Sequence, residues 1–244
     1  MDGMSEVCVL ALGDWLERDV SLYLPYASAE RRERVARFRY VSDKNRSLWA
    51  ELFARWRLAE AAGISPSEVE IAHDEKGKPF CPSASFSVSL SHSGNYIAVA
   101  VGREAVGVDV EKKRKTVPAV AKRWFRPEEN ALLQKKEEPE RTRLFFRLWT
   151  LKEAALKYVG KGLSGGLENV DCFALIEAAR SGAEDALAGR SFALESGETV
   201  SVVARCAELP TAARLFVPEV CATGVYGDVG FAERTPLSSI ADES

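Results

Sequence analysis

The chain is poor in the residues that build disulfide frameworks and zinc sites. Its 244 residues include only two histidines and five cysteines. The cysteines are odd in number and widely scattered, at Cys8, Cys81, Cys172, Cys206 and Cys221. Because no Cys-x-x-Cys spacing occurs among them, neither a disulfide framework nor a zinc site is indicated. This cysteine usage is typical of a reducing compartment, and we expect the cytoplasm.

Signals for membranes and for the common nucleotide loops are missing as well. No apolar run approaches about 18 residues and no signal segment opens the chain, so we expect no membrane association. The Walker A and Gly-x-Gly-x-x-Gly loops are absent. No Gly-x-Ser-x-Gly elbow surrounds Ser91, which argues against a serine hydrolase.

The charge of the chain argues against a general nucleic-acid binder. The formal net charge is −3, with 46% hydrophobic and 28% charged residues, which is ordinary for one large domain or two small ones. The distribution is uneven, since the stretch from Arg31 to Arg57 has nine basic and three acidic residues. Such a local basic patch could meet phosphate groups.

The order of predicted elements indicates an α+β fold of two similar halves. Periodicity predicts helices over 28–38, 42–63 and 139–160, with an N-cap at Ser28 and stops at Gly63 and Gly160. Strands are predicted at 6–13, 86–92 and 167–175, and a hairpin over 96–111 that turns at 102–104. We divide the chain into a basic half at 1–105, a second half at 106–217 and a segment at 218–244 that is expected to be an extension or a loose tail.

Two carboxylates follow a buried-looking strand in the stretch GVDVE, residues 107–111. Side chains alternate along a strand, so Asp109 and Glu111 share a face and stand roughly 6.5–7 Å apart. Two like charges on one face repel each other, and something positive should lie between them. A solvated edge, a basic partner and a metal ion are all open at this point.

The third predicted helix carries the stretch WTLKEAALKYVGKGLS, residues 149–164. Trp149, Glu153 and Lys157 fall four residues apart and line one face. Alone, they predict an ordinary Glu–Lys helix pair beside a core Trp. Together with Asp109 and Glu111, they offer three carboxylates of the kind that bind Mg²⁺ and a lysine for the phosphates of a substrate.

These two stretches resemble the signature of the 4′-phosphopantetheinyl transferases, (V/I)G(V/I)D followed by (F/W)xxKE(A/S)xxK. Every fixed position of the pattern is matched. The GKP stretch at 77–79, the SHSG stretch at 91–94 and the arginine-rich helix pair resemble the large, Sfp-type branch. The resemblance covers about residues 30 to 170, and nothing after Pro218 has a counterpart.

The resemblance implies a fold, an activity and partners. The fold would be a pseudo-dimer of two α+β halves with a ligand cleft between them, working as a monomer. The chain would move the 4′-phosphopantetheine arm of coenzyme A to a serine of an apo acyl or peptidyl carrier protein, releasing 3′,5′-ADP. It would need Mg²⁺, with Mn²⁺ as a substitute, and neither nucleic acid nor membrane.

Motif positions in the resemblance also imply site residues. The metal ligands would be Asp109, Glu111 and Glu153, and the catalytic residues Glu153, Lys157 and Asp109. Coenzyme A would be bound by Arg34, Arg37, Arg46, Lys76, Gly77, Lys78, Pro79, Ser91, His92 and Lys157. Taken singly, the arginines, the GKP turn and His92 are more simply solvated or structural residues. Glu153 is both the candidate base and a candidate metal ligand, and the sequence does not separate these roles.

Four alternatives differ in class. An inactive module that binds coenzyme A or a carrier could dispense with the three carboxylates, and their presence counts against it. A metal-dependent phosphohydrolase would leave the SHSG and GKP stretches unexplained. A nucleic-acid binder would lack a known motif, and a short trimeric holo-acyl-carrier-protein synthase is about half as long as this chain. The stretch 117–133 is our hypothesis for carrier docking, without a motif behind it.

Overall fold

The computed structural model describes residues 5–75, 77–112, 120–160, 166–222 and 224–240. The described strands are β1 (Glu6–Ala11), β2 (Ala72–His73), β3 (Pro79–Cys81), β4 (Phe86–Ser93), β5 (Tyr96–Gly102), β6 (Gly107–Glu111), β7 (Leu187–Ala193), β8 (Thr199–Arg205), β9 (Ala213–Val220) and β10 (Val229–Glu233). The described helices are α1 (Ala29–Arg37), α2 (Val41–Ala62), α3 (Ala121–Trp124), α4 (Pro127–Lys135), α5 (Glu140–Val159) and α6 (Cys172–Ser181).

The three helices predicted from periodicity are present with the expected ends. The side chain of Ser28 caps α1 by accepting a hydrogen bond from the Arg31 amide. Helices α2 and α5 end at Gly63 and Gly160, whose φ angles of 68° and 74° lie in the left-handed region that favours glycine. Local capping and hydrophobic spacing therefore set these boundaries.

The strands form two sheets, and the order β1-β5-β4 within the larger sheet corresponds to the order β6-β8-β7 of the smaller sheet. The larger sheet runs β10-β9-β1-β5-β4-β3-β2 and the smaller sheet runs β6-β8-β7. In the larger sheet, β1 pairs antiparallel with β5, which pairs antiparallel with β4. In the smaller sheet, β6 pairs in the same way with β8, and β8 with β7. Each set has a strand, a long helix and a hairpin in chain order, which confirms the predicted α+β fold of two similar halves.

The two sheets share a hydrophobic core. Along β1, Cys8 and Leu10 face the cluster under α2, whereas Val7 and Val9 face a second cluster shared with the smaller sheet. That second cluster also contains Val108 and Val110 of β6 and the inner faces of β5 and β8. Because both faces of β1 are buried, the strand reads as a continuous apolar run.

Two predicted elements were wrong. Residues 96–111 are not a hairpin, because β1 and β4 already occupy both edges of β5, and β6 joins the other sheet. Residues 167–175 are not a strand but a short 3₁₀ turn followed by the start of α6. The side chain of Asp171 accepts a hydrogen bond from the Ala174 amide and caps this helix, which the apolar run concealed.

The segment after Pro218 is not a loose tail within the described residues. Strand β10 pairs with β9, and β9 runs parallel to β1 in the sheet of the first half. The hydroxyl of Tyr226 donates to the Leu52 carbonyl at 2.7 Å. Ser239 bridges to Phe192 in β7, so the segment touches both halves.

The proposed division at 105 and 106 falls between β5 and β6. None of the described helices has the length and apolarity of a membrane span.

Candidate active site

Strand β6 lies directly against helix α5, and Gly107 makes this approach possible. A Cβ atom on Gly107 would stand 2.0 Å from the carbonyl oxygen of Ala154 and 2.5 Å from the amide nitrogen of Tyr158. Only glycine fits at that distance. The close packing brings the carboxylates of β6 next to the face of α5 that carries Glu153 and Lys157.

Asp109 is the most enclosed of the predicted site residues, with 4% of its surface exposed. Its Oδ1 atom accepts a hydrogen bond from Ser91 Oγ at 2.7 Å and an ion-paired one from Lys157 Nζ at 2.7 Å. Its Oδ2 atom is buried and has no hydrogen-bond partner among the described residues. A buried acceptor without a partner is costly, and a hydrogen-bond donor or a cation would satisfy this atom.

Glu111 and Glu153 complete the acidic group. Glu111 accepts a hydrogen bond on Oε2 from Ser93 Oγ at 3.0 Å. Burial raises the pKa of Glu153 to about 7, and the negative charges of Asp109 and Glu111 add to the shift, while Lys157 opposes it. The charges of Asp109 and Glu111 thus act on Glu153, so the three carboxylates of β6 and α5 lie near one another.

The described residues contain no group of three or more His, Cys, Asp and Glu side chains already arranged to hold a metal ion. The positive charge beside Asp109 is the ammonium group of Lys157. The donor set still fits a hard divalent cation, since it consists of carboxylates and includes the unpartnered Oδ2 atom of Asp109.

A cavity of about 350 Å³ opens beside Ser91 and Lys157, the two residues that bond Asp109. Its wall contains the following residues: Ser28, Glu30, Arg31, Arg34, Ala50, Glu51, Ile71, His73, Pro79, Leu90, Ser91, His92 and Lys157. Five predicted site residues, Arg34, Pro79, Ser91, His92 and Lys157, are thus brought together. Lys157 lies both on this wall and against Asp109, so it links the cavity to the acidic group.

Arg31 is a cavity residue that the motif comparison missed. Its Nε atom donates to Glu51 Oε2 at 3.0 Å, and its Nη1 atom donates to Ser47 Oγ at 3.1 Å. Glu51 is buried and also accepts hydrogen bonds from the amide and hydroxyl of Ser28. The start of α1 is thereby fastened to α2 at the cavity wall. Only the basic character of the 31–57 stretch could have drawn attention to Arg31.

His92 stands on the same wall among positive groups. Partial burial lowers the pKa of His92, and the charges of Arg46 and Lys157 lower it further. A neutral imidazole at this position can accept as well as donate a hydrogen bond. Arg46 itself is not part of the wall: it pairs with Asp43 and donates to the Gly94 carbonyl at 2.9 Å.

Arg37, Gly77 and Lys78 are not part of the cavity wall, whereas Pro79 of the GKP turn is. Arg37 pairs with Glu33 on α1 and its side chain is 79% exposed. Lys78 Nζ donates to the Tyr158 carbonyl at 2.7 Å, which attaches the turn to the end of α5. Burial lowers the pKa of Lys78, and Asp74 opposes that shift. Gly77 has a φ of 80°, and Lys76 falls outside the described residues, as do 117–119 of the docking hypothesis.

Comparison with known proteins identifies two matching family descriptions. The "4'-phosphopantetheinyl transferase superfamily" matches residues 105–199, and "4'-phosphopantetheinyl transferase, N-terminal" matches residues 16–104. The border between the two matches falls between β5 and β6, at the junction of the two sheets.

Named relatives agree with this match. The chain is 37% identical over 143 residues to a "4'-phosphopantetheinyl transferase" of Bacillus subtilis, a match that covers 58% of the chain and 64% of that relative. It is 31% identical over 154 residues to "4'-phosphopantetheinyl transferase ffp" of Bacillus subtilis, covering 63% and 69%. It is 30% identical over 163 residues to "4'-phosphopantetheinyl transferase gsp" of Aneurinibacillus migulanus, covering 66% and 68%. The matched stretch therefore spans about two thirds of these relatives.

Proposed function

The chain belongs to the 4′-phosphopantetheinyl transferase family, and from this we propose that it transfers the 4′-phosphopantetheine arm of coenzyme A to a serine of an apo carrier protein. One observation carries the proposal. Lys157 lies on the wall of the cavity and bonds Asp109 at 2.7 Å, which supports a site that combines the cavity with the acidic group.

Coenzyme A is the substrate proposed for the cavity. Its 3′-phosphate and pyrophosphate carry the negative charges that Arg31, Arg34 and Lys157 would neutralise. His92, whose pKa is lowered by burial and by the charges of Arg46 and Lys157, would form a hydrogen bond with the nucleotide end, beside Ser91. Arg46 would act by holding Gly94 and the end of β4 rather than through the wall of the cavity.

Asp109, Glu111 and Glu153 are the proposed ligands of Mg²⁺, with Mn²⁺ as a substitute. When bound, the ion would neutralise the negative charge on the pyrophosphate oxygens. Lys157, which lies on the cavity wall and bonds Asp109, would donate to a phosphate oxygen of coenzyme A with another of its ammonium hydrogens. The carboxylates are carried by β6 and α5, which pack directly against each other at Gly107.

The transfer itself is a displacement at phosphorus. The carrier serine oxygen forms a bond to the β-phosphorus, which carries the pantetheine arm. The bond from that phosphorus to the bridging oxygen breaks, and 3′,5′-ADP leaves with the electron pair. The serine proton goes to a carboxylate, and Glu153 is the proposed acceptor. Glu153 is also a proposed metal ligand. If a Glu153→Gln variant bound Mn²⁺ normally, Glu153 would be the base and not a metal ligand.

The monomer and the cytoplasm are further parts of the proposal. The described wall of the cavity comes from the first half and from Lys157 of the second half, and we propose that one chain completes the site. All five cysteines are free, which fits a reducing compartment. Sedimentation at several concentrations would test the monomer, and a concentration-dependent increase in mass would contradict it.

Carrier docking is proposed for the stretch 117–133. Among its described residues, Val120 is partly exposed and Arg123 lies over the Trp124 ring at 4.5 Å, a mixture of basic and apolar groups. Acidic carrier proteins with a small apolar patch would fit such a surface. The variant Arg123→Glu should raise the KM for the carrier and leave the affinity for coenzyme A unchanged. An unchanged KM for the carrier would count against this surface.

The deciding experiment is intact-mass spectrometry of apo acyl and peptidyl carriers after incubation with the protein, coenzyme A and Mg²⁺. We expect a gain of one phosphopantetheine arm, abolished by EDTA and by Asp109→Ala. No mass gain on any carrier, with coenzyme A still bound, would indicate an inactive binding module. Cleavage of coenzyme A without modification of a carrier would indicate a phosphohydrolase.

A further inference from the structure

Strands β4 and β6 belong to different sheets, and serine hydroxyls connect them. Ser89, Ser91 and Ser93 alternate along β4, so their side chains lie on one face. Ser91 bonds Asp109 and Ser93 bonds Glu111, each across 18 positions in sequence. Because this separation is constant, the two strands run in the same direction, and each carboxylate of β6 meets its own serine.

The hydrogen bonds of Ser93 fix the direction of its hydroxyl. The Lys112 amide donates to Ser93 Oγ at 2.9 Å, so the serine oxygen is the acceptor there. A serine hydroxyl has a single hydrogen to donate. That hydrogen points to Glu111 Oε2 at 3.0 Å. The Ser93 hydroxyl is therefore held at the β6 backbone and in turn holds one oxygen of the Glu111 carboxylate.

We propose that Ser93 is a positioning residue for the metal site, which orients the Glu111 carboxylate toward Asp109 and Glu153. The inference rests on the proposed function, since it assumes that these three carboxylates bind the ion. Groups that hydrogen-bond a metal ligand orient it, and losing one typically weakens metal binding about 10- to 100-fold. Ser93 would act on the ion through Glu111, without touching the substrate.

Ser91 differs from Ser93 in two ways that make the inference specific. The Oδ1 atom of Asp109 accepts hydrogen bonds from both Ser91 and Lys157. Lys157 would therefore still orient Asp109 if the Ser91 hydroxyl were lost. Ser91 also lines the cavity, whereas Ser93 does not belong to its wall. Loss of the Ser93 hydroxyl should therefore weaken binding of the ion without weakening binding of coenzyme A.

Ser89 offers a matched control on the same strand. Its hydroxyl accepts a hydrogen bond from the Val108 amide at 3.0 Å, in the same way that Ser93 accepts from Lys112. The hydrogen bonds described for Ser89 include none to a carboxylate of β6. The variant Ser89→Ala thus removes one tie between β4 and β6 while leaving the support of Glu111 in place.

The test measures Mn²⁺ binding by electron paramagnetic resonance, with coenzyme A present, for the full chain and its variants. We expect Ser93→Ala to weaken Mn²⁺ binding about tenfold, and Ser93→Thr and Ser89→Ala to change it less than about twofold. The Mg²⁺ concentration for half-maximal transfer should rise with Ser93→Ala, while the rate at saturating Mg²⁺ and the KM for coenzyme A stay unchanged. Ser93→Cys, a weaker donor, should be intermediate and serves in place of Ser93→Ala if the alanine variant does not fold.

Normal Mn²⁺ binding by Ser93→Ala would overturn the inference while leaving the proposed function intact. Equal weakening by Ser89→Ala would also overturn it, because the effect would then come from loosening the two strands. If the unmodified chain bound no Mn²⁺ with coenzyme A present, the proposed metal site and this inference would both fall.

Discussion

Gly107 and Ala154 lie so close that a Cβ atom on the glycine would stand 2.0 Å from the alanine carbonyl oxygen. That contact joins β6 to α5, and these two elements carry all three candidate metal ligands. Because the clashing atom belongs to the helix backbone, it cannot turn aside as a side chain would. The geometry of the acidic group therefore depends on a residue that has no side chain.

We predict that Gly107→Ala lowers the free energy of unfolding by about 3 kcal/mol, as expected for a clash in a packed core. Gly63→Ala is the control, because its added methyl group meets open space and only the left-handed backbone is strained, at about 1 kcal/mol. Urea denaturation of both variants measures the difference. Equal midpoints would show that α5 moves away from β6 at little cost.

Arg34 and Arg37 sit one turn apart on α1 but face different surroundings. We predict that Arg34→Ala weakens coenzyme A binding about tenfold, because a charged hydrogen bond to phosphate is lost. Arg37→Ala should have little effect, since Arg37 is exposed and pairs only weakly with Glu33. Calorimetric titration with coenzyme A compares the two. Similar losses for both arginines would place the 3′-phosphate beyond the cavity described here.

Much of the site could be predicted because it follows from local rules. Alternation along a strand puts Asp109 and Glu111 on one face, and helical spacing puts Glu153 and Lys157 on another. Helices α1, α2 and α5 were predictable from their caps and periodicity. The repetition of helices and strands was enough to indicate two similar α+β halves.

The errors arose where long-range pairing decides the structure. An apolar run followed by a turn predicts a hairpin, but β5 had both edges occupied and β6 paired with β8 instead. The sequence of strand β10 predicts a loose tail because its partner, β9, joins a sheet formed mostly by the first half. Ser93 and Arg31 were missed since their roles depend on contacts across 18 and 20 positions, which spacing along one element does not show.

Glu153 should make the stability of the metal-free chain depend on pH. Its pKa is raised from near 4.5 to about 7, first by burial and then by Asp109 and Glu111, so the folded chain binds its proton more tightly than the unfolded chain does. The free energy of unfolding should therefore fall as the pH rises from about 4.5 to about 7. Glu153→Gln should reduce that fall. Urea denaturation in EDTA across this range tests it, and parallel pH profiles for the two proteins would contradict the prediction.

Lys152 precedes Glu153 but points into the protein, where it meets Glu129 on α4. The two side chains are fully buried, with Lys152 Nζ at 2.8 Å from Glu129 Oε2. Lys152 Nζ also donates to the carbonyls of Leu167 and Val170 at 3.0 and 2.7 Å. All three ammonium hydrogens are used, and the pair fastens α5 to α4 and to the segment before α6.

We predict that Lys152→Met alone destabilises the chain by about 3–5 kcal/mol, because it leaves the Glu129 carboxylate buried without its partner. The double variant Lys152→Met with Glu129→Leu should recover part of that loss, since no uncompensated charge remains. Urea denaturation of the two variants gives both values, and Mn²⁺ binding at low temperature should stay near that of the unmodified chain. If Lys152→Met kept the stability of the unmodified chain but no longer bound Mn²⁺, Lys152 would belong to the site on the other face of α5 rather than to its support.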